Sequence, residues 1–113
     1  IEYWCEVLRR EDRPTAVIAY NEMLTHPVIQ AAIMCGINVP HDLSVVTFHH
    51  EPAGIFGVEL STWLIPFRKI GDIAAEMLVQ KIQHPEEVLA NRILSFDFHE
   101  GKTRAPPSQS KSL

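Results

Sequence analysis

Two histidines stand side by side, His49 and His50, and Glu51 follows them directly. A neutral imidazole donates one hydrogen bond and accepts one, and it gains charge near pH 6.5. Asn21 and Glu22 add two amide donors, an amide acceptor and a carboxylate. Trp63 adds an aromatic face of the kind that packs on sugar rings. Each residue also has a plainer role. Asn21 can cap a helix, and Glu22 can sit as a favourable charge near that helix's N-terminus. The histidines can bind loop backbone, and Trp63 can be packing.

Other chemistries fit less well. A zinc site drawn from His41, His49, His50 and Glu51 needs three or four converging ligands. Neighbours on an extended segment point to opposite faces, so His49 and His50 are expected not to ligate together. No metal and no cofactor is expected. The chain has no GxSxG, no glycine-rich phosphate loop and no Cys–His pair at informative spacing. No residue is therefore assigned a catalytic role, although an α/β enzyme using His49 or His50 stands as one alternative. Cys5 and Cys35 form no CxxC pattern and read as small core residues in a reducing, cytoplasmic setting.

These side chains need elements to position them. Residues 2–10 place Tyr3, Trp4, Val7 and Leu8 at helical spacing, and the helix breaks at Asp12-Arg13-Pro14. Residues 15–20 are a short, β-branched apolar run that suits a strand buried on both faces. Residues 21–35 read as a helix with Val28, Ala31, Ala32 and Cys35 inward, and Gly36 stops it. Pro27 inside that span moves its expected start to about His26. A turn over 37–42 leads to a second buried strand over 43–48. A loop from 49 to 59 follows, with a short strand over 60–64. Pro66 opens a long amphipathic helix carrying Phe67, Ile70, Ile73, Ala74, Met77, Leu78 and Ile82 on one face. Residues 91–98 alternate as an edge strand, and 101–113 look like a flexible tail.

Alternating helices and strands predict an α/β fold: a parallel sheet in a three-layer αβα arrangement. Ligands in such sheets bind outside the carboxyl ends of the strands. Here those ends are Tyr20–Glu22, Phe48–Glu51 and Trp63–Pro66. A net charge of -4 with no clustered basic run argues against direct nucleic-acid binding by this segment. No apolar stretch is long enough to span a bilayer, and no membrane partner is expected.

The strand ends also carry a resemblance. RPTAVIAYNEML (13–24) resembles a LacI/GalR-family segment that reads roughly RPTAIFAANDEMA. GINVPHDLSVVTFHH (36–50) resembles that family's G-x-x-VP-x-D-x-SVVGFDD. LSTWLIPFRKIGDIAAEML (60–78) resembles LTTVRQPFEEMGRLAAELL. The three occur in order and at matching separations over nearly the whole chain before the tail. The resemblance implies a partial periplasmic-binding-protein-like lobe: the C-terminal part of the effector-binding and dimerisation domain of a transcriptional repressor. It implies a small effector between two lobes, a sugar or sugar acid, and a homodimer. It further implies contact with DNA only through an upstream helix-turn-helix, and a helix over 66–84 that packs on the other lobe. An isolated chain with that helix uncovered is expected to dimerise, swap or aggregate. An exported sugar-binding protein of the same fold is a second alternative.

The resemblance places Asn21, Glu22, His49, His50 and Trp63 at the effector site. Asn21 matches the family asparagine. Glu22 departs from an aspartate by one methylene. His49 and His50 stand in place of paired aspartates, and Thr47 in place of a glycine. Exchanging acceptor-only carboxylates for imidazoles shifts the expected effector toward an acid.

Overall fold

The computed structural model describes residues 1–108. Helix α1 (Glu2–Leu8) leads to strand β1 (Ala16–Ala19), helix α2 (Glu22–Met34) and strand β2 (Ser44–His49). Two short strands follow, β3 (Gly54–Ile55) and β4 (Val58–Glu59). Strand β5 (Ser61–Leu64), helix α3 (Phe67–Gln83) and strand β6 (Asp97–His99) complete the order. The main sheet runs β1-β2-β5-β6. β1, β2 and β5 are parallel, whereas β6 is antiparallel to β5, so the sheet is mixed. The fold is α/β.

Side chains alternate across each strand, and the register sorts them into two faces. Val17, Val45 and Thr62 lie on one face, where α1 and α2 cover them. Cys5, Leu8, Val28, Ile29, Ala31, Leu43 and Leu60 close that core. The other face carries Ile18, Val46, Phe48 and Trp63, and no helix among the described residues lies over it. Ile18 is 70% exposed there. The expectation of a β1 strand buried on both faces fails for this reason: β1 is the sheet edge and only one of its faces is covered.

α2 begins at Glu22 rather than near His26, despite Pro27. Two interactions hold its first turn. The Asn21 side-chain oxygen accepts from Leu24 N–H at 2.9 Å, and the Thr25 hydroxyl donates to the Asn21 carbonyl at 2.9 Å. Proline removes one backbone donor, and the carbonyl it leaves belongs to Met23, an exposed residue. At the other end Gly36 takes φ +68, while Ile37 N–H reaches the Ala32 carbonyl and Gly36 N–H the Ile33 carbonyl. This is a Schellman closure, as the glycine implied.

Three segments depart from the sequence reading. The span 49–59 contains the β3–β4 hairpin, turned by Phe56 (φ 52) and Gly57 (φ 76). The run 91–98 is mostly irregular, and only Asp97–His99 pairs with β5. Residues 101–108 are not a free tail. β5 starts opposite Val46, so Val45 lacks a neighbour on that side, and Thr103 takes the place. Val45 N–H donates to the Thr103 carbonyl at 2.7 Å, and the Thr103 hydroxyl donates to the Val45 carbonyl at 2.6 Å. Ser61 N–H donates to the same hydroxyl at 2.8 Å. Gly101 (φ +56) permits this approach, since a Cβ there would stand 2.5 Å from the Leu60 backbone. The remainder of the expected tail, 109–113, lies outside the described residues.

α3 contributes no buried residue. Leu78 is 62% and Ile82 68% exposed, although both lie on the apolar stripe. The helix extends away from the sheet, and the molecule measures 63 × 28 × 25 Å.

Candidate functional site

The carboxyl ends of β1 and β2 and the segment after β5 open on a cleft of about 500 Å³. Tyr20 and Asn21 enter it from the end of β1, and Phe48, His49 and His50 from the end of β2. Ile65 and Phe67 close it from beyond β5, and Phe96 forms its floor. Strands of one direction release their chains at one edge, which is why three segments distant in sequence meet there. The lining is mainly apolar and aromatic, with a few polar groups at the rim. That is the usual make-up of a small-molecule site.

Asn21 lines the cleft and also caps the helix that follows it. Its side-chain oxygen caps α2, while its amide nitrogen makes no hydrogen bond among the described residues and can donate into the cleft. Glu22 stands behind the rim rather than in the lining. Its Oε2 lies 3.5 Å from His49 Nε2. The acidic first residue of α2 thus faces an imidazole as well as the helix's own positive end.

His49 is the last residue of β2, and its carbonyl accepts from Ile65 N–H at 2.7 Å, which ties the two strand ends together. Its Nδ1 lies 3.2 Å from the Glu51 carbonyl and 3.3 Å from the Glu51 nitrogen. Glu51 backbone can therefore receive a proton from Nδ1 or supply one to it. His50 does not point to the opposite face. The strand ends at His49 and the chain bends, so alternation stops and the two rings stack with centroids 4.4 Å apart. The expectation that these two side chains diverge is corrected here. His50 Nε2 also approaches Glu51 Oε1 at 3.8 Å. His41 lies before β2, at the far end of that strand, and pairs with Asp42.

Trp63 is not in the lining. It pairs in register with Phe48 and lies on the uncovered sheet face, 4.7 Å from the Phe98 ring. The Arg104 guanidinium sits over the other ring of that pair, 4.4 Å from the Phe98 centroid. Thr47 is fully buried under α2 and does not narrow the cleft. Phe48 belongs to the strand end marked out in the sequence, Phe48–Glu51, and it lines the cleft. Phe67 and Phe96 line it too, although the sequence placed the first on the helix stripe and the second on the edge strand; Phe67 sits three residues beyond Leu64, so a slightly wider strand-end window would have included it.

A second concavity, of about 410 Å³, lies between α2 and the hairpin. Its apolar walls include Ile33, Ile37, Val39, Phe56 and Val58. Cys5 and Cys35 are free thiols packed between α1 and α2, where burial pushes the Cys5 thiol up from its ordinary value. Neither reaches the strand-end cleft.

The family description "periplasmic binding protein-like domain" matches residues 1–103. The lactose operon repressor of Rhizobium radiobacter is 34% identical over 77 residues, covering 67% of this chain and 68% of that relative. The dimeric lac repressor with an 11-residue C-terminal deletion superimposes with a TM-score of 0.75 at 23% identity, over 95% of this chain and 39% of that one. A LacI family transcriptional regulator from Enterococcus faecium with bound ribose gives a TM-score of 0.68 at 24% identity, over 93% of this chain and 39% of that one. The chain spans 24% of the length of the first curated relatives it matches, which are named transcriptional repressors and not enzymes.

Proposed function

This chain belongs to the periplasmic binding protein-like family, on its LacI-type branch, and from that premise we propose that it forms the C-terminal part of the effector-sensing core of a transcriptional repressor. The strand-end cleft is where the effector rests. The observation that carries this reading is the convergence of Asn21, His49 and His50 on one cleft. One LacI-family neighbour of the same fold holds ribose. DNA contact belongs to a helix-turn-helix elsewhere in the parent protein, and the protein works in the cytoplasm. The effector acts by binding one arrangement of two lobes better than another.

The effector class follows from the side chains. Asn21 supplies amide donors, and the histidine pair places imidazoles, which carry no negative charge, where the family pattern has carboxylates. A sugar acid therefore fits better than a neutral sugar. Glu22 orients His49, and Trp63 serves packing on the sheet face rather than contact with the effector. Calorimetric titration of the protein carrying both lobes, with an aldonate and with the matching neutral sugar, tests this. We expect at least tenfold tighter binding of the acid. Equal affinity, or preference for the neutral sugar, overturns the assignment.

α3 packs on the other lobe. Its apolar stripe is uncovered here, and burying it against further chain accounts for a 17-residue amphipathic helix with no buried residue. The groove between α2 and the hairpin seats a second copy. Phe56 holds a positive φ that a bulky residue rarely adopts, and its ring stays largely in solvent beside exposed Ile33 and Val58. The lac repressor neighbour is a dimer. Sedimentation of Phe56→Asp at micromolar concentration should show monomer where the parent shows dimer. An unchanged sedimentation coefficient contradicts this interface.

A further inference from the structure

We propose that His49, His50 and Glu51 hold a divalent transition-metal ion at the rim of the strand-end cleft, with Glu22 on the facing helix close enough to His49 to join them. One ligating atom from each of His49, His50 and Glu51 lies within 4.8 Å of the other two. Ligands around one zinc ion sit about 2.0–2.2 Å from it, so small side-chain rotations close the set. His50 and Glu51 are exposed and free to make them.

In the tautomer that donates Nδ1–H to the Glu51 carbonyl, rather than accepting from the Glu51 N–H, His49 is arranged as metal-bound imidazoles are. A ligating histidine donates its other N–H to a backbone carbonyl or carboxylate, which fixes the tautomer and aims the free lone pair. Nδ1 of His49 lies 3.2 Å from the Glu51 carbonyl. With the proton there, the Nε2 lone pair faces Glu22 Oε2 across 3.5 Å. Two electron-rich atoms at that distance call for a cation between them, and the cation is either a proton on Nε2 or a metal ion. A proton satisfies His49 and Glu22 alone. A metal ion also draws on His50 and the Glu51 carboxylate, once the His50 ring turns out of its stack on His49 so that the two in-plane lone pairs converge, and it offsets the acidic side chains.

The ligand set is nitrogen and oxygen with no thiolate, which suits zinc, cobalt or nickel. Two imidazoles and one or two carboxylates leave coordination positions open toward the cleft. A solute carboxylate or hydroxyl pair could fill them. Metal binding uses this chain's own side chains and does not depend on the repressor reading. Zinc uptake without sugar-acid binding removes only that reading, and the reverse removes only this one.

The test is calorimetric titration of the chelator-treated chain with Zn²⁺ at neutral pH, followed by Co²⁺ absorption spectra. One equivalent should bind. His50→Ala, at an exposed position, should weaken binding at least tenfold, and Glu51→Gln and Glu22→Gln should weaken it to lesser degrees. His84→Ala should change nothing. Cobalt should give visible d–d bands without thiolate charge transfer. Absence of saturable uptake, uptake indifferent to His50→Ala, or a thiolate band pointing to Cys5 and Cys35 would overturn the site.

Discussion

The two faces of the central sheet are built to different standards. One face, with Val17, Val45 and Thr62, is closed by α1 and α2 into a core that includes Leu8, Leu43 and Leu60. The opposite face shows Ile18 and Trp63 to solvent, and α3 stands off with its apolar stripe bare. Both regions carry apolar side chains at regular spacing. What separates them is whether the covering partner lies within this chain. An apolar stripe reports that a surface is meant to be buried; only the register and the packed neighbours report what buries it.

Replacing one leucine in each region gives the sharpest contrast. Leu43→Ala empties a fully buried site and should cost about 2–5 kcal/mol in urea unfolding. Leu78→Ala on α3 should cost under about 0.5 kcal/mol, as surface changes do. Similar losses at both positions would mean that α3 folds back on the sheet in solution. Thr103→Val comes next. It leaves the Val45 carbonyl and the Ser61 N–H without their buried partner, and it should destabilise by about 1–3 kcal/mol. A neutral outcome would return 101–108 to the status of a loose tail.

How much was legible in the sequence differs between these regions too. The strands at Ala16–Ala19 and Ser44–His49, the glycine stop at Gly36 and the cap at Asn21 rest on local patterns, and local patterns can be read. The seat of Thr103 depends on β5 starting two residues late against β2, a register no single segment encodes. The hairpin escaped because Phe56 is a poor candidate for positive φ. The histidine stack escaped because alternation was carried one residue past the end of β2. Trp63 was placed at the rim by its nearness to a strand end, whereas its pairing with Phe48 sets it on the open sheet face.

Smaller effects probe the edges of the covered region. Asn21→Ala removes the α2 cap and should cost about 1 kcal/mol in thermal or urea unfolding. Loss of stability with no change in effector affinity would leave Asn21 a cap alone. Asp42 offers a pH test. The Asn38 N–H, and then His41, hold its carboxyl below the ordinary range. Its stabilising contribution is therefore complete above the unfolded value near 3.9 and is lost as pH falls through the lowered folded value. Asp42→Asn should flatten the acid limb of the stability profile while leaving the alkaline limb unchanged. An unaltered acid limb would show that the turn holds without the carboxylate.

The claim on which function depends is that Asn21, His49 and His50 meet one solute. Side-chain resonances of these three residues, followed by NMR as an aldonate is added, report on it directly. Saturable shifts at all three, with Trp63 and the α2–hairpin groove still, are expected. Shifts that spare the histidines, or that gather at Phe56 and Ile33 instead, would contradict it.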